Sequence, residues 1–347
     1  MGNIDCKRAI SICSGKRSDR KLVDYQEFLN TKKIEYNPIG IDIDIKDLNP
    51  KMFDFQKDIT KWALKKGKAA VFAGCGLGKT IIALEWAKNL SILDKNILIL
   101  APLAVTYQTV EEGNKFGITV YLCESQKNVK KGINITNYEK LRKFDCSFFD
   151  GIIIDESSCL KDFNSKNKAL IIESFRYTSF KLACTATPSP NDYMELGNHA
   201  EFLNIMSYNE MLSMFFVHDG GETSKWRLKK HAAKNFWQWV STWSIMLQKP
   251  SDLGYKDNDF ILPPLRFHQI IVKKNTPKEG QLYAVNAITL QHQLKARRES
   301  IKERVNACAE LVNNTNDSFS IWCNLNSESS LLTKLINNSV EIKGSDK

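Results

Sequence analysis

No two of the nine cysteines form a C-x-x-C pair, and none stands with histidine at the spacing of a zinc site. They are scattered at positions 6, 13, 75, 123, 146, 159, 184, 308 and 323, with Cys184 and Cys323 inside apolar strand-like runs. The pattern offers no zinc site and predicts buried, reduced thiols of the kind found in the cytosol. No run of about 18 apolar residues occurs, so no membrane-spanning helix is expected. The opening MGNIDCKRAI has no long apolar stretch, so no signal peptide is expected. Cys6 stands where a myristoylation start carries Ser or Thr, which sets that modification aside. No internal repeat recurs at a fixed period.

What is present is a chain of 347 residues, 43% of them hydrophobic and 25% charged. That composition predicts globular structure, and the length allows two domains at about 100–200 residues each. The formal net charge is +10, with a pI of about 9.0. Such a balance suits a polyanionic partner, because binding phosphates releases counterions; the plain alternative is a basic but ordinary soluble enzyme.

Residues 1–50 are mixed and polar, with a helix expected near Leu22–Leu29 and turns at Asn37-Pro38 and Asn49-Pro50. From about residue 52 the chain alternates. FQKDITKWALKKG reads as a helix ending at Gly67, and AAVFA (69–73) as a buried strand. The loop GCGLGKT follows, then IIALEWAKNL at helical spacing. NILILA (96–101), ITVYL (118–122), INIT (133–136), GIIID (151–155) and FKLACTA (180–186) read as further strands. VTYQTVEEGNKF and KNKALIIESF read as helices between them. Buried strands alternating with helices predict an α/β fold with a parallel sheet whose ligand lies at the strands' carboxyl ends.

Residues 205–260 break this rhythm with Trp226, Trp237, Trp239 and Trp243 and the basic run KWRLKKHAAK (225–234). Phe236, Val240, Trp243 and Leu247 fall at helical spacing, which predicts an inserted helical subdomain with an aromatic core; a base-stacking surface is the alternative. The basic run suits a solvated face or a phosphate-contacting one equally. After a Pro-Pro linker, LPPLRFHQIIV (262–272), FSIWC (319–323) and SVEI (339–342) read as strands around a long helix at about 280–313 and a helix in SESSLLTKLINN.

Three constellations carry chemistry. The loop AGCGLGKT (73–80) fits the phosphate-loop pattern G-x4-G-K-[ST], with Ala73 in place of the first glycine. Gly74, Gly76 and Gly78 let backbone N–H groups turn toward phosphate oxygens at the start of a helix. Lys79 supplies a cation to the phosphates, and the Thr80 hydroxyl a ligand for Mg²⁺. Asp155 and Glu156 end a buried strand, where a carboxylate is costly unless it meets a cation or water. Asp155 is expected to hold Mg²⁺, and Glu156 to orient or deprotonate an attacking water. Thr185-Ala186-Thr187-Pro188 ends another strand with hydroxyls able to link the γ-phosphate site to a neighbour; a simple strand end with a turn is the bland alternative.

Together these residues resemble the Swi/Snf-like branch of superfamily 2 helicases and translocases, in particular the phage-type DEAD/DEAH-box-related proteins, from about residue 52 to the end. Phe55-Gln56 resembles the upstream glutamine motif, which implies that Gln56 reads adenine. AGCGLGKT resembles motif I, DESS (155–158) motif II and TATP motif III, followed by NDYMELGNHAEFL as in that branch. ILILAPLAV, containing Pro102, resembles motif Ia. ITNYEKL, containing Thr136 and Asn137, resembles motif Ib, and both motifs contact the nucleic-acid backbone in the family. STWSIMLQKPSDLGY looks like the phage-type insertion and IWCNLNSES like motif IV. The chain departs from the pattern in two ways: motif II lacks its terminal His or Asp, and motifs V and VI, which carry the arginine fingers, do not occur before Lys347. Arg297 and Arg298 do not match them, and an arginine finger is worth on the order of 10³–10⁵ in rate.

The resemblance implies a RecA-like ATP-binding lobe at 51–204 after an N-terminal extension (1–50), an insertion at 205–260 and a partial second RecA-like lobe at 261–347. It implies ATP and Mg²⁺ as cofactors and double-stranded DNA as partner, in the cytoplasm, that of a bacterial host if phage-encoded. Thr185 and Thr187 join Pro102, Thr136 and Asn137 as residues expected in nucleic-acid contact or coupling. The expected activity is ATP hydrolysis coupled to movement on DNA, weak in this chain alone. Rival readings are a terminase-like DNA-packaging ATPase, a restriction-linked translocase, and a non-catalytic DNA-binding piece of a split motor.

Overall fold

A computed structural model describes residues 39–161, 166–219, 222–272 and 288–343. The expected helix at Leu22–Leu29 lies outside them. The chain divides after Leu262 into two compact units.

The first unit is a seven-stranded sheet in the order β3-β4-β2-β5-β6-β1-β9, every pairing parallel. Its strands are β1 (Lys68–Ala73), β2 (Ile97–Ala101), β3 (Tyr121–Leu122), β4 (Ile133–Asn137), β5 (Gly151–Asp155), β6 (Phe180–Thr185) and β9 (Ser244–Leu247). The two-residue period of a strand sends alternate side chains to opposite faces. Ala69, Val71 and Ala73 of β1 join one core with helices α1 (Asp54–Lys66), α2 (Lys79–Ile92) and α3 (Leu103–Lys115). Ala70 and Phe72 join the other, with α4 (Lys166–Ser174), α5 (Leu196–Phe202), α6 (Tyr208–Phe215) and α7 (Ala233–Trp243). Helix α1 stops at Gly67, where φ of 73° admits glycine readily.

The stretch 205–260 is not a purely helical insertion. It adds an antiparallel hairpin of β7 (Phe216–Asp219) and β8 (Glu222–Leu228) and returns its last strand, β9, to the main sheet beside β1. The expected aromatic core forms, but as part of the sheet's own: Phe236, Trp239, Val240 and Trp243 are buried in the cluster that holds Phe72, and the Trp243 ring meets Phe72 edge-on. Leu247, expected on the same helix, lies on β9, because the helix ends at Trp243.

Lys181 at the start of β6 is fully buried. Its Nζ donates to the Phe202 carbonyl at 2.8 Å and to Asn204 Oδ1 at 3.3 Å. Burial, with Lys68 and Arg176 nearby, pushes its pKa down to about 7. The unfolded chain keeps this proton up to the ordinary lysine range, whereas the native state releases it near pH 7. Stability from this group therefore rises with pH above 7, by at most about 1.4 kcal/mol per pH unit. In urea titrations from pH 7 to 9.5, the wild type should gain stability relative to Lys181→Met. Parallel pH profiles would contradict this origin.

The second unit holds α8 (Leu290–Glu299), α9 (Ile301–Asn313) and α10 (Asn326–Leu335), with a small core of Val305, Ala309, Leu332 and Ile336. The long helix expected at 280–313 is broken, in its described part, at Ser300, whose hydroxyl bonds back to the Ala296 carbonyl at 2.8 Å. Such back-bonding bends helices. The stretches 262–272, 319–323 and 339–342, read as strands from their apolar runs, carry no strand pairing. An apolar run becomes a strand only where a ladder partner is supplied, and here Trp322 is 95% exposed. Cys323, expected buried, is likewise exposed.

Candidate active site

Because the main sheet is all parallel, its carboxyl ends share one edge, and β5, β6 and β1 are neighbours there. That adjacency brings together residues more than 100 positions apart in sequence, from Ala73 to Thr185.

Strand β1 ends at Ala73, and the loop turns through Gly76 (φ 82°) and Gly78 (φ 79°) before α2 begins at Lys79. Both glycines occupy the left-handed region that other residues avoid. A Cβ on Gly78 would meet Gln56 Nε2 at 2.3 Å, and one on Gly74 the Gln248 carbonyl oxygen at 3.1 Å. The loop is thus walled by α1 on one side and by the chain leaving β9 on the other. The Gln56 carboxamide is engaged with the loop itself: its Nε2 donates to the Leu77 carbonyl at 3.0 Å, and its oxygen accepts from Phe53 N at 3.1 Å. Lys79 Nζ lies against the Ala73 and Gly74 carbonyls at 3.1 and 3.2 Å. The first turn of α2, which includes Thr80, has no side-chain cap and no acidic residue.

Two strands away, β5 ends in Asp155. Burial first, and then the neighbouring Glu156, raises its pKa, while the Glu156 N–H and Lys79 oppose that rise. Glu156 adopts φ 55°, ψ 54°, a conformation costing a non-glycine residue about 1–3 kcal/mol. Neighbouring contacts hold it there. Its N–H bonds Asp155 Oδ1 at 3.1 Å, and its Oε2 accepts from the Thr185 hydroxyl at 3.1 Å. Thr185 Oγ1 in turn accepts from Thr187 N at 3.1 Å. The end of β6 and the turn at Thr187 are therefore tied to the Glu156 carboxylate.

The sequence reading missed three contributors. The His199 ring on α5 is wholly buried and lies 3.0 Å from the Ser157 hydroxyl, immediately after Glu156. Burial pushes its pKa down to about 4, so it is neutral. The Tyr138 hydroxyl donates to the Asp155 carbonyl, and burial raises its pKa well above the ordinary range. Asn198 donates to the Lys161 carbonyl at 3.1 Å and accepts from buried Lys168 at 2.8 Å. His199 and Asn198 lay in a stretch noted only as family-like, and no local spacing ties them to Asp155.

Pro102 precedes α3 at the end of β2, and Thr136 and Asn137 end β4, all along the same edge. Thr136 and Asn137 face inward: both are buried, and Asn137 accepts from Lys140 N at 3.1 Å to cap a 3-10 turn.

These residues fit a phosphate chain with a hard cation. Lys79 Nζ lies against the loop's carbonyls, a Cβ on Gly76 would meet open space, and the first turn of α2 carries no side-chain cap. Asp155 and Thr80 are oxygen-bearing side chains of the kind a hard cation such as Mg²⁺ takes, and such a cation needs few protein ligands when phosphates supply others. No cluster of three or more His, Cys, Asp or Glu able to hold a metal exists among the described residues, and a phosphate-bridged cation does not need one.

Residues 47–190 match the family model described as type III restriction enzyme, res subunit. The fold is that of a RecA-like helicase core. The Sulfolobus solfataricus SWI2/SNF2 ATPase core in complex with dsDNA is similar, with a TM-score of 0.52 at 20% identity over 62% of this chain and 48% of that one. The same core domain alone gives 0.48 at 20% identity, over 60% of this chain and 48% of that one. The UvsW helicase from bacteriophage T4 gives 0.39 at 15%, over 57% and 69% of the two chains. The chain thus spans about half the length of the first of these. No curated protein matches it.

Proposed function

We propose that this chain carries the ATP-binding wall of a Swi/Snf-like superfamily 2 motor, one that couples ATP hydrolysis to movement on double-stranded DNA. The observation that carries the reading is the convergence of Lys79, Asp155, Glu156 and Thr185 at one edge of a parallel sheet. Bound Mg²⁺–ATP would supply the phosphoryl group that is transferred to water and a cation that offsets its charge. Lys79 exchanges its two carbonyl partners for phosphate oxygens, and the α2 N–H groups take the remaining charge. Asp155 and Thr80 would hold the cation. Glu156 orients the attacking water and accepts its proton, with Thr185 fixing the carboxylate. Thr185 also ties that carboxylate to the TATP turn, a route by which γ-phosphate loss would reach the surface.

The match to a restriction enzyme's res subunit is in keeping, within this reading, with a restriction-linked translocase. The test is steady-state ATP turnover with and without duplex DNA. Duplex DNA should raise the rate. A chain that binds and hydrolyses ATP indifferently to any nucleic acid would overturn the motor reading.

A further inference from the structure

From Thr223 to Ser251 the chain carries six lysines and arginines and not one aspartate or glutamate, in a protein where acids are otherwise frequent. The structure separates the two properties that the sequence mixes in this segment. The inner face of α7, with Phe236, Trp239, Val240 and Trp243, is core. The outer face, with Lys234, Trp237 and Gln238, is exposed, and Lys230 and His231 on the preceding 3-10 turn are exposed with it.

This surface lies beside the site. Tyr193, a few residues after Thr185–Thr187, meets the Trp237 ring edge-to-face at 5.1 Å. Tyr193 is 50% exposed and Trp237 38%, so the pair offers aromatic surface to solvent, while Trp237 also rests edge-on against buried Phe236. Lys230 and Lys234 have no ion-pair partner among the described residues. A solvated helix face mixes charge signs, and lysines favour the carboxyl end of a helix. Here Lys230 and Lys234 stand at the amino end of α7, whose first turn carries no acid, and the nearest acids in the sequence of the facing turn are Asp192 and Glu195 beside Tyr193.

Resting on the motor reading, we propose that Lys230, Lys234 and the Tyr193–Trp237 pair form a nucleic-acid contact outside the motif Ia and Ib edge. The lysines take backbone phosphates, and the exposed Trp237 ring takes a sugar or base face. The contact places nucleic acid against the turn that follows Thr185–Thr187, so backbone engagement and the Glu156 carboxylate share one short segment of chain.

The test is anisotropy binding of a labelled 30-base-pair duplex across a salt series. The wild type is compared with Lys230→Glu/Lys234→Glu and with a control of equal charge change, Lys65→Glu/Lys115→Glu. Lys230→Gln/Lys234→Gln gives a milder pair should the reversal perturb folding, judged by the thermal midpoint. The proposal expects the site pair to weaken binding on the order of tenfold and to flatten the log–log salt slope by about two, near one per lost phosphate contact. The control pair should do neither, and Trp237→Ala should weaken binding without changing the slope. Equal effects from site and control pairs would overturn the proposal by reducing it to net charge. A wild type that binds no nucleic acid at all would sink the motor reading and the contact with it.

Discussion

Lys79→Ala should abolish saturable ATP binding at millimolar nucleotide and remove turnover. The Lys79 ammonium sits 3.1 and 3.2 Å from the Ala73 and Gly74 carbonyls, inside the loop, where an arriving phosphate would compete for it. A charge-assisted hydrogen bond to phosphate contributes about 1.5–3 kcal/mol to binding. Loss of a preorganised cation where charge develops costs roughly another 10²–10³ in rate. The fold should survive the change: among the described residues the side chain hydrogen-bonds to backbone carbonyls, and alanine suits the first helical position at least as well. Comparison of thermal midpoints with nucleotide binding therefore separates the two effects. Unchanged turnover in Lys79→Ala would remove the phosphate-loop assignment.

Glu156→Gln should lower turnover by about 10²–10⁴ while leaving nucleotide affinity close to wild type, the signature of a lost general base. The substitution keeps shape. The amide oxygen can still accept from the Thr185 hydroxyl, so the left-handed turn at this position keeps its restraint. What disappears is the capacity to take a proton. Single-turnover hydrolysis and equilibrium nucleotide binding on the same protein distinguish the cases. Equal losses in binding and turnover would make Glu156 a cation ligand instead, and no loss in either would exclude it from the chemistry.

The local half of this site was legible in the sequence. A glycine-rich loop between an apolar strand and a helical pattern, and an apolar strand ending in two acids, each declare themselves within about ten residues, because strand and helix periods are short-range signals. The contacts that hold the acids in place were not legible. His199 meets Ser157 across 42 positions and Thr185 meets Glu156 across 29, distances that only the sheet order resolves. Gln56 shows the reverse case: its position was legible, but its engagement with the Leu77 carbonyl depends on how closely α1 approaches the loop. The strands expected near Phe319 and Val340 failed for a related reason. Apolar runs report burial tendency, and pairing requires a neighbour that a sequence window cannot supply.

The most direct measurement of the central claim is a calorimetric titration of Mg²⁺–ATP into the full 347-residue chain, with Lys79→Ala measured alongside. One saturable site in the wild type, with a dissociation constant between about 1 μM and 1 mM, and none in the variant is the predicted result. No saturable binding by the wild type at several times that concentration, or equal binding by both proteins, would contradict a nucleotide site at the carboxyl ends of β1, β5 and β6.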